Sequence, residues 1–152
     1  MKNAKEIHAL LNRLCKATDE LYHNYATNIG LSDSALWIFY AICESDGSLT
    51  QNELCSLWCY SKQTVNSTVK SLCDKGLLFL EHIDGTRTHK AIKLTDEGQQ
   101  FCEKYILPLI NAEQDVYSTM TDKQIEEYVS VKENEYKLLK DKFAEIRARR
   151  AQ

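Results

Sequence analysis

The chain has 152 residues, of which 43% are hydrophobic and 27% charged, and a net charge of −3 at neutral pH. That size and balance suit one folded domain and exclude a disordered segment. Five glycines and one proline leave too few breakers for the turns of a β-sandwich or barrel, so a mainly helical fold is expected.

In chain order, Ile7, Leu10, Leu11, Leu14, Leu21, Tyr22, Tyr25 and Ile29 follow the spacing of one helix face, which predicts a first helix over 4–29 stopped by Gly30. Ser32 then caps a segment, 35–42, that is apolar nearly all round, the mark of a buried helix. A turn is expected at Ser45-Asp46-Gly47-Ser48. Thr50 and Glu53 form a capping box for a short helix over 51–58. Past a Cys59-Tyr60 turn, Ser61 caps a second helix over 62–75, with Val65, Val69, Leu72 and Cys73 inward and Gly76 as its stop. Two helices so joined form a helix-turn-helix pattern.

After Gly76 the period changes. Residues 77–83 and 91–94 read as two strands, with Asp84-Gly85 signalling a hairpin between them. Thr95 caps a helix running to about Thr119, with Phe101, Tyr105, Leu109, Ala112 and Val116 inward and Pro108 expected to kink or break it. Thr121 and Gln124 make a second capping box. It opens a last helix whose Ile125, Val129, Lys132, Tyr136, Leu139, Phe143 and Ile146 form a heptad seam. The basic tail from Arg147 is expected to fray. No internal repeat is visible. The terminal helices are too long for a core of about 65 residues to cover. Their apolar faces, Ile7, Leu11 and Leu14 on the first and Tyr136, Leu139 and Phe143 on the last, are expected to pack in a homodimer.

The longest apolar runs, such as 36–43, fall well short of the ~20 residues that cross a bilayer. The opening Met1-Lys2-Asn3-Ala4-Lys5-Glu6 lacks the apolar stretch of a signal peptide. No membrane partner and a cytoplasmic location are therefore expected. Six cysteines, Cys15, Cys43, Cys55, Cys59, Cys73 and Cys102, lie among apolar helical positions and are expected to be reduced and mostly buried. Cys55 and Cys59 lack the tight spacing of a zinc pair, so no metal is expected. Charge is segregated: residues 61–93 carry six Lys or Arg against three Asp or Glu, leaving −6 on the remainder.

A helix-turn-helix followed by a hairpin makes a winged helix, in which one helix enters the major groove and the wing reaches the adjacent backbone or minor groove. On the second helix, the side away from Val65, Val69 and Leu72 offers Ser61, Lys62, Gln63, Thr64, Asn66, Ser67, Lys70 and Ser71. Gln and Asn can bond adenine edges, Thr can bond an edge or touch a thymine methyl, and Lys meets phosphate. The bland alternative is a solvated face of an ordinary helix. The capped helix before it and the basic hairpin after it favour DNA. Thr50, Arg87, His89 and Lys90 complete the expected contact set.

Residues 47–54, 61–65, 70–78 and the run Ile92-Lys93-Leu94-Thr95-Asp96-Glu97-Gly98 resemble the MarR (multiple antibiotic resistance regulator) family of bacterial transcription factors. The resemblance covers essentially the whole chain as a single MarR-like domain, 1–152. It implies dimerisation helices over 1–30 and 96–146, a winged helix-turn-helix lobe over 31–95, and a homodimer on a pseudo-palindromic operator, acting as a repressor. Control by a small, aromatic effector near the dimer–lobe junction is also implied, with Tyr22, Tyr25, Trp37, Tyr40 and Tyr105 as its pocket; an aromatic core explains those rings as well. The chain departs from the family pattern in three places. Thr88 stands where the wing arginine is usual, with Arg87 one residue earlier. Cys59 stands where Gly is common. Cys15, with Tyr22 and Tyr25 on its helix, lies about two turns later than the reactive cysteine of hydroperoxide-sensing members. A cysteine-based redox regulator and a winged-helix protein-interaction module without DNA binding are the alternatives. No nucleophile motif, phosphate loop or metal-protease helix is present, so neither an enzyme nor a cofactor is expected.

Overall fold

In the computed structural model, which describes residues 3–45, 49–58, 60–83 and 90–150, the chain is organised around one buried helix. That helix, α2 (Asp33–Glu44), starts at the Ser32 cap and buries Ala35, Leu36, Ile38, Phe39, Ala41 and Ile42. Trp37, Tyr40 and Cys43, on its remaining side, are only half-buried. Before it, α1 (Ala4–Asn28) begins with a capping box between Asn3 and Glu6 that the sequence reading did not include. It ends at Gly30, whose φ of +75° lets Gly30 N–H reach the Thr27 carbonyl and Leu31 N–H reach that of Ala26. Those two bonds are the Schellman arrangement, which favours glycine at this position.

After α2 come β1 (Leu49–Thr50), α3 (Gln51–Trp58) and α4 (Lys62–Asp74). The expected Thr50–Glu53 box is formed in both directions: Thr50 N–H donates to the Glu53 carboxylate at 2.7 Å and Glu53 N–H to the Thr50 hydroxyl at 3.2 Å. Ser61 caps α4 by accepting Thr64 N–H at 3.1 Å. α4 buries Val65, Val69 and Leu72 and closes with a second Schellman pair at Gly76, φ +72°. A Ser34–Thr68 hydroxyl contact of 3.0 Å pins α4 to α2.

β2 (Leu78–His82) and β3 (Lys90–Leu94) pair antiparallel from Leu78↔Leu94 to His82↔Lys90. The sheet has a third strand that the sequence reading missed. β1 joins the other edge of β3, Leu49↔Ile92 and Thr50↔Ala91, giving the order β1-β3-β2. Two residues carry no period, and their partner lies some forty positions onward. The expected turn over 46–48, the Cys59 half of the interhelical turn and the hairpin tip 84–89 lie outside the described residues.

The Leu94-Thr95-Asp96-Glu97-Gly98 run joins the sheet to the next helix, α5 (Asp96–Phe101). The Thr95 hydroxyl donates to the Gly76 carbonyl at 2.6 Å and accepts Gly98 N–H at 3.0 Å, while Thr95 N–H bonds the Leu77 carbonyl. Gly98 is buried, and a Cβ there would overlap the Leu77 carbonyl oxygen. This close approach is why the position takes glycine.

The helix expected from Thr95 to Thr119 is three pieces: α5, a π-helical turn (Cys102–Ile106) and α6 (Leu107–Ser118). Pro108 has no N–H for the Lys104 carbonyl, and its ring would collide with that carbonyl in a regular α-helix. The wider turn, with Leu107 N–H reaching back to the Cys102 carbonyl, accommodates the proline without ending the helix. The extra residue also shifts the inward face. Cys102, Ile106 and Ile110 are buried, Phe101, Tyr105 and Leu109 are partly covered, and the expected Ala112 and Val116 are exposed. The chain falls into two units, Met1–Ile110 and Asn111–Gln152, with the boundary inside α6. In the second, the Thr121–Gln124 capping box is formed and α7 (Asp122–Arg150) follows. The basic residues Arg147–Arg150, expected to fray, continue the helix.

Gly98→Ala should therefore cost about 2–3 kcal/mol, as overpacking against a rigid carbonyl does, and Gly30→Ala about 1 kcal/mol for its left-handed backbone. Urea denaturation checks both. A Gly98→Ala midpoint equal to the parent's would show that the Thr95 junction relaxes freely.

Candidate nucleic-acid interface

The interface is built on the first turn of α4. At about 100° per residue, Lys62, Gln63, Asn66, Ser67 and Lys70 occupy one arc away from the buried Val65, Val69 and Leu72, and all five are exposed. The expected set divides at this point. Ser61 and Thr64 are tied to each other, hydroxyl to hydroxyl at 2.8 Å, and Thr64 is partly buried. Ser67 donates to the Thr64 carbonyl. Those three shape the helix start, while Gln63, Asn66 and the two lysines are presented outward.

A groove of about 350 Å³ runs beside this arc, lined by Thr50, Gln51, Asn52 and Cys55 from β1 and α3, Lys62 and Asn66 from α4, Leu80 from β2 and Lys90 from β3. It unites Thr50, Lys62, Asn66 and Lys90 of the expected set. It adds the amides of Gln51 and Asn52, which the sequence reading left out because a helix's first turn does not show where it points. The helix α3 opens into this groove, and the backbone N–H groups of its first turn give the site a positive end. Two lysines flank it. The chemistry suits a phosphodiester backbone. Glu53 stands in the same first turn, with its carboxylate hydrogen-bonded by Thr50. Bonds from the Thr50 backbone N–H, then from its hydroxyl, hold the Glu53 acid below the usual carboxylate range. Arg87 and His89 lie outside the described residues.

The five aromatic residues expected to line one pocket fall into two groups. Tyr22, Trp37 and Tyr40 join Trp58, which the sequence reading omitted: Tyr22–Trp37 centroids are 4.8 Å apart, Trp37–Trp58 are stacked at 4.7 Å, and Tyr40 meets Trp58 edge-on at 5.8 Å. Tyr105 packs on Phe101 at 4.9 Å, and Tyr25 donates its hydroxyl to the Tyr105 carbonyl at 2.6 Å. Burial, then Tyr105, pushes the Tyr25 phenol up. Tyr25 thus fastens α1 to the π turn. The open cleft beside Tyr22 and Trp37 instead brings in Tyr60.

The apolar faces expected to dimerise are exposed in the single chain. On α1, Ile7, Leu11 and Leu14 are 44%, 44% and 56% exposed. On α7, nothing is buried, and Tyr136, Leu139 and Phe143 all lie open. Lys132, the polar position of that seam, is paired with Glu135 at 2.9 Å. A second stripe, Tyr128, Val131 and Leu138, is exposed beside the first.

The cysteines differ from expectation. Among the described residues only Cys102 is a buried cysteine; Cys43, Cys55 and Cys73 are half-buried on helix flanks and Cys15 is exposed. The Cys102 thiol bonds to the Cys43 sulfur, which holds Cys43 down and, with burial, Cys102 up. Among the described residues no helix is long and apolar enough to cross a membrane, and no cluster of three metal-ligating side chains occurs.

Recognition helix, three-stranded antiparallel sheet and flanking helices together define a winged helix-turn-helix. Residues 29–87 match the MarR family model. The fold is similar to a MarR family regulator from Neisseria meningitidis (19% identity, 95% of this chain and 99% of that one, TM-score 0.74). It is also similar to a MarR protein from Peptoclostridium difficile (15%, 95% and 94%, 0.67). A third likeness is Staphylococcus aureus MarR, solved with salicylate and kanamycin (18%, 90% and 91%, 0.66). No curated protein sequence matches. Residues 29–87 are thus similar to the MarR family, and the chain shares the fold of these regulators.

Because Glu53 is depressed, its ionised form stabilises the fold at neutral pH, and that contribution is lost as pH falls through its folded value. Glu53→Gln should accordingly lower stability at pH 7, with the gap to the parent narrowing as pH falls below the usual carboxylate range. Thermal melts across that range decide it. A gap independent of pH would assign the loss to shape rather than charge.

Proposed function

We propose that the protein is a homodimeric, DNA-binding transcriptional repressor that recognises a pseudo-palindromic operator and is controlled by a small effector. The observation that carries this reading is the exposed polar arc of α4, held at a fixed start by Ser61 and set beside the α3 N-terminus, Lys62 and Lys90. Gln63 and Asn66 have the amide pair that reads adenine edges, while Lys62, Lys70 and Lys90 meet phosphate. The net charge of +3 over residues 61–93 concentrates attraction on this part of an otherwise acidic chain.

The open seams supply the second copy. With Ile7, Leu11 and Leu14 on α1 and Tyr136, Leu139 and Phe143 on α7 exposed, each of these helices leaves an apolar stripe open in the single chain, the mark of an interaction surface. A twofold dimer would cover it and set two α4 helices about 34 Å apart, one turn of B-DNA. An effector that fits only one spacing of the two lobes shifts the population away from the DNA-fitting one. The setting of such a regulator is the cytoplasm.

The test is selection from a random duplex pool at about 150 mM salt, where nonspecific phosphate attraction is weak. An enriched inverted repeat with half-sites about 10 base pairs apart is expected. No enrichment by a folded dimer would overturn DNA recognition in favour of a protein-interaction module. Gln63→Ala should lose about 1–3 kcal/mol of preference for the selected site, whereas Lys70→Ala should weaken all duplexes alike and reduce the salt slope by about one. Equal losses on selected and scrambled duplex for Gln63→Ala would remove that residue from base readout. Leu139→Asp with Phe143→Asp should give a monomer in sedimentation and lose duplex binding with it; a dimer that survives both changes would place the interface elsewhere.

A further inference from the structure

A cleft of about 480 Å³ opens between α1, α2 and the α3–α4 turn, inside the size range of small-molecule sites. Its lining is largely aromatic, with Tyr22, Trp37 and Tyr60 beside Leu36, and the Tyr22 ring lies against Trp37. Its rim is acidic. Asp19, Glu20 and Asp33 face a single ammonium, Lys16, and Lys16 already closes on Asp19 at 2.8 Å. His23 Nδ1 lies 2.9 Å from Asp33. Burial, then the Asp33 carboxylate, pushes the Tyr60 phenol up, so it remains a neutral ring at physiological pH.

We propose that this cleft binds a lipophilic aromatic cation. An anion would enter against the Glu20 and Asp33 carboxylates. A neutral ring would gain stacking but nothing from the rim. A cation gains both, because the faces of Trp and Tyr carry negative quadrupole density that attracts positive charge, and the carboxylates add long-range attraction to the same ligand.

The cleft also touches the DNA-reading machinery. Tyr60 immediately precedes the Ser61 cap of α4, and Trp37 stacks on Trp58, the last residue of α3. A bound cation therefore bears on both sides of the turn that aims α4, and by linkage DNA and cation affect each other's affinity equally. This regulatory consequence rests on the DNA-binding reading; the site itself does not.

Tetraphenylphosphonium and tetraphenylborate, nearly identical in shape and opposite in charge, test it by calorimetric titration of the DNA-free protein at low salt. The phosphonium should bind at least tenfold tighter than the borate. Glu20→Lys, on the exposed face of α1, should weaken the phosphonium about tenfold, the effect of two charge units at ~6 Å in water, with the melting temperature unchanged. Trp37→Leu should weaken it further; should that variant not fold, Glu20→Lys still decides. Equal affinity for the two ions, no binding of the phosphonium, or indifference to Glu20→Lys would overturn the cation site and leave DNA recognition standing. In a second arm, phosphonium should weaken binding to the selected duplex in fluorescence anisotropy. Unchanged duplex affinity with the cation bound would overturn the regulatory coupling while the site stands.

Discussion

The Thr95 hydroxyl is the contact on which the working geometry depends. It donates to the carbonyl of Gly76, which ends α4, and it accepts the N–H of Gly98, which starts α5. One oxygen thereby joins the C-terminus of the recognition helix to the N-terminus of the next, and the Thr95 N–H adds the start of the sheet through Leu77. Each partner is a backbone group that would otherwise be an orphan at a helix end. The junction holds because Gly98 brings no Cβ and Gly76 adopts a left-handed φ. The direction of α4 is therefore fixed at its far end by backbone hydrogen bonds, leaving its first turn and its outward side chains to contact a ligand.

The opposite side of α4 is fixed by packing. Val65, Val69 and Leu72 enter the core formed with Leu36, Phe39 and Ile92, and Thr68 bonds Ser34. The polar arc is thus carried by a helix with little freedom to roll, the rigidity that the proposed contact with base edges would need. The Glu53 carboxylate beside it is tied to the start of α3 by bonds from Thr50.

Features whose cause lies within three or four residues could be read in the sequence. The caps at Ser32, Thr50, Ser61, Thr95 and Thr121 and the stops at Gly30 and Gly76 stand where the pattern placed them, because a cap is a bond between near neighbours. The buried face of α4 followed from its period. The missed features depend on partners far along the chain. β1 exists only because Leu49 and Thr50 meet Ile92 and Ala91. Pro108 signalled a disturbance, but whether it breaks a helix or widens a turn depends on what else can satisfy the carbonyls nearby, here including the Tyr25 hydroxyl eighty residues away. Tyr60 enters the aromatic cleft, and Trp58 stacks on its Trp37, from either side of a turn whose direction no periodicity encodes. Ala112 and Val116 were misplaced for the same reason as the π turn: one residue of slip rotates a helix face by about 100°.

That slip also separates two jobs along one continuous run of helix. Up to Ile110 the buried positions, Cys102, Ile106 and Ile110, complete the core of the lobe. Beyond it, Val116 and Tyr117 are exposed, as are both stripes of α7. A helix that buries no residue along 29 positions and yet carries Tyr136, Leu139, Phe143 and Ile146 in register gains nothing from those side chains as a monomer, since intrinsic propensity alone gives a helix in water only marginal stability. In the dimer proposed above, a second chain would bury them. Such a dimer would bring the lysines of two lobes to one duplex, and linkage would raise the effective concentration of the second lobe there. The apolar seam of the terminal helices and the polar arc of α4 are on this argument two parts of one requirement.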